Sequence, residues 1–208
     1  MTYKLAIFDF DGTLADSLPW LLQIVNQVAD RYDFRRVSPH ELETLRGAAP
    51  REMLAHVGLP VWKLPLVARH VRKLMARDIE QIQLFPGVPE MLEALARGGV
   101  ELAIVTSNSK NNVRRILGPH HAGFIRHYAC NASMFGKRRK LRGVIRASGV
   151  ARHEIISIGD EVRDVHASHA EELAFGAVTW GYASPEALLA YKPREVFHRI
   201  EDIAARVG

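Results

Sequence analysis

The chain has 208 residues, of which 48% are hydrophobic and 25% charged, as is ordinary for a globular protein with a packed core. Its apolar runs, such as Leu102–Val105, are too short to span a bilayer, and the N-terminus leads into a strand pattern rather than a signal peptide. One cysteine, Cys130, cannot form an internal disulfide, which fits a reducing cytoplasm. We therefore predict a cytoplasmic protein, and the short apolar runs predict that it has no membrane partner.

The formal charge of +5 includes one basic cluster at residues 137–142. No aromatic residue interleaves with this cluster to stack on bases. A nucleic-acid partner is therefore disfavoured.

Five short apolar segments are predicted as strands, in the order Lys4–Asp9, Glu101–Thr106, Tyr128–Asn131, Ile155–Gly159 and Ala174–Thr179. The first, second and fourth are nearly continuous apolar runs, which is typical of strands buried on both faces of a parallel sheet. Helical patterns over 89–96 and 141–147 separate the later strands. The sequence therefore predicts an α/β fold with a parallel, Rossmann-like sheet.

A long helical insertion is predicted after the first strand. Most of residues 17–83 shows apolar positions at helical spacing, and Pro39, Pro50 and Pro60 divide it into pieces. We expect a catalytic core formed by residues 1–16 and 84–208, with residues 17–83 as a small helical cap. The cap should lie over the carboxyl end of the first strand, where such sheets bind ligands.

The first strand ends in Asp9-Phe10-Asp11-Gly12-Thr13. Two carboxylates at the end of a buried strand, followed by a glycine that lets the chain turn, can converge on one point. One carboxylate can then act as a covalent nucleophile, and the second can donate and recover a proton. Asp and Gly are also common in plain turns, but this longer pattern after an apolar run favours the catalytic interpretation.

The fourth predicted strand ends in Gly159-Asp160, with Asp164 one helical turn further on. If the first and fourth strands are neighbours, Asp9 and Asp160 can ligate Mg²⁺ together with the backbone carbonyl of Asp11. Asp164 can ligate the ion or orient a metal-bound water. The alternative is that Asp160 only caps a helix.

Thr106, Ser107 and Asn108 end the second strand, where a hydroxyl and helix amides can hold a phosphate oxygen. Lys137 follows Gly136 just ahead of a helix and can reach the same phosphate. Lys140 is the rival for that role.

These four segments resemble the haloacid dehalogenase superfamily, in the branch of small phosphatases typified by phosphoglycolate phosphatase. The resemblance implies a four-helix cap, Asp9 as the nucleophile, Asp11 as the acid/base, and Thr106 and Lys137 around the phosphate. In many of these enzymes Pro-x-Pro follows the lysine, whereas Arg138-Arg139-Lys140 follows it here.

Contacts to substrate are expected from Gly12, Thr13, Ser107 and Asn108. Residues 45–52 resemble the specificity loop of the cap, in which Arg51 or Arg46 could hold a remote anionic group. The expected partner is a small phosphorylated metabolite and the expected cofactor is Mg²⁺.

Three alternatives remain open from the sequence. A phosphomutase of the same superfamily would return the phosphoryl group to a sugar. A receiver-like signalling domain combines similar residues but places its phospho-acceptor on a middle strand and has no large helical insertion. A catalytically silent binding protein of the same fold is the third. The histidine pair His120-His121 has no companion in the sequence that would complete a zinc set.

Overall fold

The structure is a computed structural model that describes residues 3–46, 48, 50–133 and 136–208. A parallel sheet of six strands forms its centre, in the order β5-β4-β1-β6-β7-β8. These strands are β1 (Leu5–Phe8), β4 (Glu101–Val105), β5 (Ile125–Ala129), β6 (Ile155–Gly159), β7 (Ala174–Val178) and β8 (Glu195–Phe197). The predicted α/β fold class is confirmed.

Helices cover the sheet and form the long segment after β1. The α-helices within the described ranges are α1 (Leu18–Tyr32), α2 (Pro39–Leu45), α3 (Pro50–Val57), α4 (Leu64–Arg77), α5 (Val88–Arg97), α6 (Lys110–Ala122), α7 (Lys137–Ser148), α8 (Val162–His169), α9 (Pro185–Leu189) and α10 (Glu201–Val207). Short 3-10 turns occupy Val61–Lys63, Ile79–Gln81 and Arg152–Glu154. None of the helices in the described ranges combines the length and apolar character needed to cross a bilayer.

Side chains on both faces of the sheet build the core, because each central strand is covered by helices. All four residues of β1 are buried, and so are all five of β6. Phe8, Leu92, Leu95 and Ile104 belong to the larger core cluster on one face. Burial on both faces explains why these strands read as unbroken apolar runs.

Three features of the sheet differ from the sequence prediction. The third strand runs over Ile125–Ala129 rather than Tyr128–Asn131, because it is an edge strand in which the exposed Arg126 and the half-buried His127 interrupt the apolar pattern. A sixth strand, β8, has only three residues and was missed. The third feature is a separate antiparallel pair, β2 (Ala15–Asp16) and β3 (Gln83–Leu84).

Residues 17–83 contain α1 to α4, in agreement with the helical pattern of the sequence. The segment leaves through β2 and returns through β3, which pair with each other. From α4, the Nη1 of Arg72 donates to the carbonyl of Ser107 at 3.1 Å. The helical segment therefore meets the sheet beside the end of β4, while its status as a separate cap domain stays a prediction.

Candidate active site

The carboxyl ends of β1, β4 and β6 lie side by side. In the parallel register, Phe8 pairs with Ile104 on one side and with Ile158 on the other. The residues that follow these strands therefore emerge at one edge of the sheet. Asp9 and Asp160, which follow β1 and β6, are brought together as the sequence required.

Asp9, Asp160 and Asp164 form a buried carboxylate cluster. One oxygen from each lies within 4.8 Å of the others, and all three residues are buried. Burial, followed by repulsion from Glu161 and Asp9, raises the pKa of Asp160 well above its ordinary value. Burial also raises the pKa of Asp164 to about 6, although Lys137 opposes the shift. Such crowding of oxygen ligands fits a hard divalent cation, which would favour the ionised forms.

Lys137 reaches this cluster from the first turn of α7. Its Nζ lies 2.5 Å from Oδ2 of Asp9 and also forms an ion pair with Asp164. Burial lowers the pKa of Lys137, but the two carboxylates outweigh it, so the net shift is upward. The ammonium stays charged and directed at Asp9, where it can meet an incoming phosphate.

The other basic residues of the 137–142 run point elsewhere. Arg138 and Arg142 bind the carboxylate of Glu171. Arg139 and Lys140 line an open cleft of about 440 Å³ between β5 and α7. The structure therefore brings Lys137, and not Lys140, to the aspartates.

Arg163 is a site residue that the sequence analysis missed. Its Nη2 donates to Oε1 of Glu161 at 2.6 Å and lies 3.9 Å from Oδ2 of Asp9. Glu161 and Asp164 form a reciprocal capping box at the start of α8, which fixes this turn. Arginine in the first turn of a helix usually faces solvent, so only the fold reveals that this one is directed inward.

Asp11 lies beside the cluster in a setting suited to proton transfer. Its carboxylate accepts from the Oγ of Ser17 at 3.1 Å and from the Nδ2 of Asn108 at 3.2 Å. Burial, followed by the charge of Asp9, raises the pKa of Asp11 to about 6. The carboxyl group can therefore hold a proton near neutral pH and release it.

A second contact of Ser17 was also missed in the sequence. Its Oγ lies 2.7 Å from the Oη of Tyr182, which follows β7. Because tyrosine and serine hydroxyls can each donate or accept, the pair forms a relay that holds the orientation of Asp11. Residues so far apart along the chain give no local signal in the sequence.

Gly12 and Thr13 pack against Asp160. Thr13 Oγ1 donates to Oδ1 of Asp160 at 2.6 Å, and the backbone N–H of Tyr182 donates to Oδ2 at 2.8 Å. Gly12 has a φ of 80°, and a Cβ there would collide with Oδ2 of Asp160. A Cβ at Gly181 would collide with the same side chain. The Thr13 side chain therefore orients Asp160, and the two glycines leave room for it. Substrate contact by Gly12 and Thr13 stays a prediction.

The end of β4 contributes polar groups from Thr106 to Asn108. Thr106 is fully buried, and its Oγ1 accepts from the backbone N–H of Asn108 at 3.0 Å. The Asn108 side chain donates to Asp11 and to Sδ of Met75 on α4. Asn108 therefore joins Asp11 to the helical segment, whereas Ser107 contributes its carbonyl to Arg72.

Comparison with known proteins identifies the family of the chain. The model of the haloacid dehalogenase-like hydrolase family matches residues 6–178. The chain belongs to this family. The predicted resemblance is confirmed, and with it the prediction of a hydrolase.

Relatives match the chain over nearly its whole length. A phosphoglycolate phosphatase of Synechococcus elongatus is 30% identical over 97% of this chain and 95% of its own. A 5'-nucleotidase of Pseudomonas aeruginosa is 25% identical over 99% of this chain and 94% of its own. The crystal structure of a Lactobacillus plantarum protein superposes with a TM-score of 0.84 at 25% identity, covering 99% of both chains.

In this haloacid dehalogenase-like hydrolase the loop predicted to set specificity contacts the core. Arg46 donates from Nε to the carbonyl of Tyr182 at 2.9 Å and from Nη2 to that of Gly181 at 2.8 Å. Arg51, at the start of α3, is exposed, and its contact with substrate stays a prediction. Gly47 and Ala49 lie outside the described residues.

A small internal cavity lies next to the site of this hydrolase. Asp9, Lys137 and Asp164 line a cavity of about 10 Å³, which has room for about one water molecule. A phosphate ester does not fit in that volume. The cavity is lined from the strands and from α7 and α8 and by no residue of 17–83, so a substrate has to bind outside it.

Proposed function

We propose that the protein is a Mg²⁺-dependent phosphatase that hydrolyses a small phosphomonoester through an aspartyl phosphate on Asp9. One observation carries the proposal: Asp9 lies in a carboxylate cluster that fits a divalent cation, with Lys137 on one side and Asp11 nearby. The substrate class is phosphoglycolate or a sugar phosphate, supported by the Synechococcus relative that is named for phosphoglycolate. The proposal includes the division into a core and a cap of residues 17–83.

The metal ligands in this proposal are Asp9, Asp160 and Asp164, with the backbone carbonyl of Asp11. A bound Mg²⁺ supplies positive charge that stabilises the phosphoryl oxygens as negative charge develops on them. Lys137 adds a fixed ammonium on the other side of Asp9. Thr106 and the backbone N–H of Ser107 provide hydrogen-bond donors for the phosphate.

In the first step, a carboxylate oxygen of Asp9 attacks phosphorus and the bond from phosphorus to the leaving alcohol breaks. Asp11 donates its proton to the alcohol oxygen, so a neutral alcohol leaves. The raised pKa of Asp11 keeps that proton available near neutral pH. Ser17 and Asn108 hold the Asp11 carboxyl in position for the transfer.

In the second step, water attacks the phosphorus of the aspartyl phosphate. Asp11, now a carboxylate, takes the proton from that water, and the bond from phosphorus to Asp9 breaks. Inorganic phosphate leaves and both aspartates return to their starting states. Closure of the helical segment excludes bulk water during the first step.

The proposal includes a cytoplasmic location for the enzyme. The single cysteine, Cys130, is buried and free, as expected for a protein of the reducing cytoplasm. A small phosphorylated metabolite is the proposed partner.

The proposal is tested by hydrolysis of an aryl phosphate with and without Mg²⁺, followed by a screen of phosphorylated metabolites. We expect multiple turnovers that require Mg²⁺. Asp9→Asn should lower kcat by at least about 10⁴-fold, because the nucleophile is lost. The matched variant Asp202→Asn, on α10, should retain activity. Near-normal turnover by Asp9→Asn would contradict the nucleophile assignment, and acid-quenched mass spectrometry would look for phosphate on Asp9 directly.

A further inference from the structure

Glu93, His120 and His121 form a second group of metal-ligating side chains, separate from the aspartates. Glu93 lies on α5, and the two histidines lie in the last turn of α6. We propose that these three residues bind a zinc-like transition-metal ion that joins α5 to the end of α6.

The distances between the ligand atoms fit one ion. His120 Nε2 lies 3.3 Å from Oε1 of Glu93, and His121 Nε2 lies 3.5 Å from the same oxygen. A tetrahedral Zn²⁺ with bonds of about 2.0–2.1 Å holds its ligand atoms about 3.3–3.5 Å apart. The three candidate ligand atoms all lie within 4.8 Å of one another. Little movement is therefore needed to close the site around an ion.

The hydrogen bonding of His121 leaves one ring nitrogen ready for a metal. His121 Nδ1 lies 3.2 Å from the backbone carbonyl of Leu117, which can only accept, so Nδ1 carries the proton. In the neutral ring, Nε2 then presents a lone pair to the carboxylate of Glu93. The facing nitrogen and oxygen atoms suit a cation between them, which is either a proton or a metal ion. A backbone carbonyl that orients a histidine through its other nitrogen is the usual arrangement around bound metal ions.

A break in α6 precedes the turn that carries the two histidines. At Gly118 the backbone leaves helical geometry, with φ 71° and ψ 165°, and Pro119 follows. The ring of Phe124 then packs edge-on against His120 at a centroid distance of 5.0 Å, which limits ring rotation.

The ligand set selects the class of ion. Two imidazoles and one carboxylate suit Zn²⁺, Cu²⁺ or Ni²⁺, whereas Mg²⁺ prefers oxygen ligands throughout. Three protein ligands leave a fourth position to water, and His120 is exposed. The site should therefore exchange its ion with solution rather than hold it permanently.

The test is isothermal titration of the full chain with Zn²⁺ in excess Mg²⁺ near neutral pH, where Mg²⁺ competes at the aspartates. We expect one high-affinity Zn²⁺ per chain, both in the unaltered protein and in Asp160→Asn. His121→Ala and Glu93→Gln should each weaken this binding at least about tenfold, since each removes a ligand. His153→Ala, at an exposed histidine elsewhere, should bind as the unaltered protein does. Titration with Co²⁺ adds a spectroscopic readout, because its visible absorption reports the coordination.

The proposal would be overturned by the absence of Zn²⁺ binding under these conditions, or by an affinity equal to that of the unaltered protein in both His120→Ala and His121→Ala. Loss of the binding in Asp160→Asn alone would assign the ion to the aspartates and also overturn it. His120 is exposed, so His120→Ala should fold even if His121→Ala does not, and circular dichroism checks both variants. Phosphatase activity is not a readout, so failure here leaves the proposed function untouched.

Discussion

Two buried charge clusters lie at opposite ends of α8. They differ in how far the neighbouring positive charges neutralise the carboxylates. At its start, Asp9, Asp160 and Asp164 crowd together, and the pKa of Asp164 is raised to about 6. At its end, Glu171 is bound by Arg142 and Arg138, whose hydrogen bonds lower its pKa to about 2 even though burial opposes the shift. The three aspartates carry more negative charge than the neighbouring cations neutralise, whereas the two arginines fully neutralise Glu171.

The contrast separates a site prepared for a ligand from a structural contact. The arginines around Glu171 remain exposed to water. Their ion pairs neutralise the Glu171 carboxylate without any ligand from outside the chain. The aspartates lie beside Lys137 and Arg163, yet burial and repulsion between carboxylates still raise the pKa values of Asp160 and Asp164. A buried carboxylate that the fold leaves under-neutralised is a mark of function rather than of stability.

Removing the cation of the first cluster should have the largest effect. Lys137→Ala leaves Asp9 and Asp164 facing each other and removes a charge from the phosphate. We expect kcat to fall by about 10³-fold, as for loss of a transition-state donor. Lys140→Ala, on the same helix but in the open cleft, is the matched control and should stay near normal. Equal losses in both variants would contradict the assignment of Lys137.

Neutralising one carboxylate of the first cluster should weaken metal use. Asp160→Asn removes a proposed ligand, so the Mg²⁺ concentration for half-maximal activity should rise at least about tenfold. The same change relieves repulsion, so the melting temperature in EDTA should not fall near pH 8. An unchanged Mg²⁺ requirement would show that Asp160 does not ligate the ion.

The two clusters should respond to pH with opposite signs. Asp11 and Asp164 have folded pKa values of about 6, above their ordinary 3.8, so without metal their contribution to stability is lost as pH rises from about 4 to 6. For Asp11 alone this loss is on the order of 2–3 kcal/mol. Glu171, at about 2, contributes above about pH 4.5 and loses that contribution as pH falls toward 2.

Urea unfolding across this pH range, with EDTA or with Mg²⁺, measures both effects. Mg²⁺ should remove the part of the loss between pH 4 and 6 that comes from Asp164, because it stabilises the ionised form of that proposed ligand. It should leave the loss at low pH unchanged. A pH profile that is identical with and without Mg²⁺ would count against a metal at the aspartates.

Breaking the second cluster should have the smallest effect. Glu171→Gln removes the charge that binds the arginines, at a cost of about 1–2 kcal/mol in the free energy of unfolding. Solvation of the exposed arginines should keep the cost near the lower figure. Turnover should be unaffected, and a large fall in kcat would show that this cluster does more than stabilise the fold.

The sequence predicted the part of the site that directly follows buried strands. Asp9 and Asp160 come straight after apolar runs, and parallel strands place such residues at one edge. Lys137 was placed beside the phosphate from its position ahead of a helix, and the structure sets it against Asp9. Local pattern sufficed where the strand itself fixes the direction of the side chain.

The remainder depended on contacts between distant segments. Nothing near Ser17 in the sequence indicates Tyr182, and nothing near His120 indicates Glu93. The edge strand β5 was misplaced because Arg126 and His127 interrupt its apolar pattern. Only the packing of the elements decides which side chains meet in these cases.

The short pair β2–β3 has a mechanical consequence for access to the site. Both connections to residues 17–83 run through it, hydrogen-bonded side by side at Ala15 and Leu84, and Ala15 also bridges to Asp11. Such a double strap resists twisting more than a single flexible linker would, so the helices should swing about one axis. Each such movement should also shift the backbone that carries the Asp11 carboxyl group. Opening of the helical segment should therefore move the proton donor out of position.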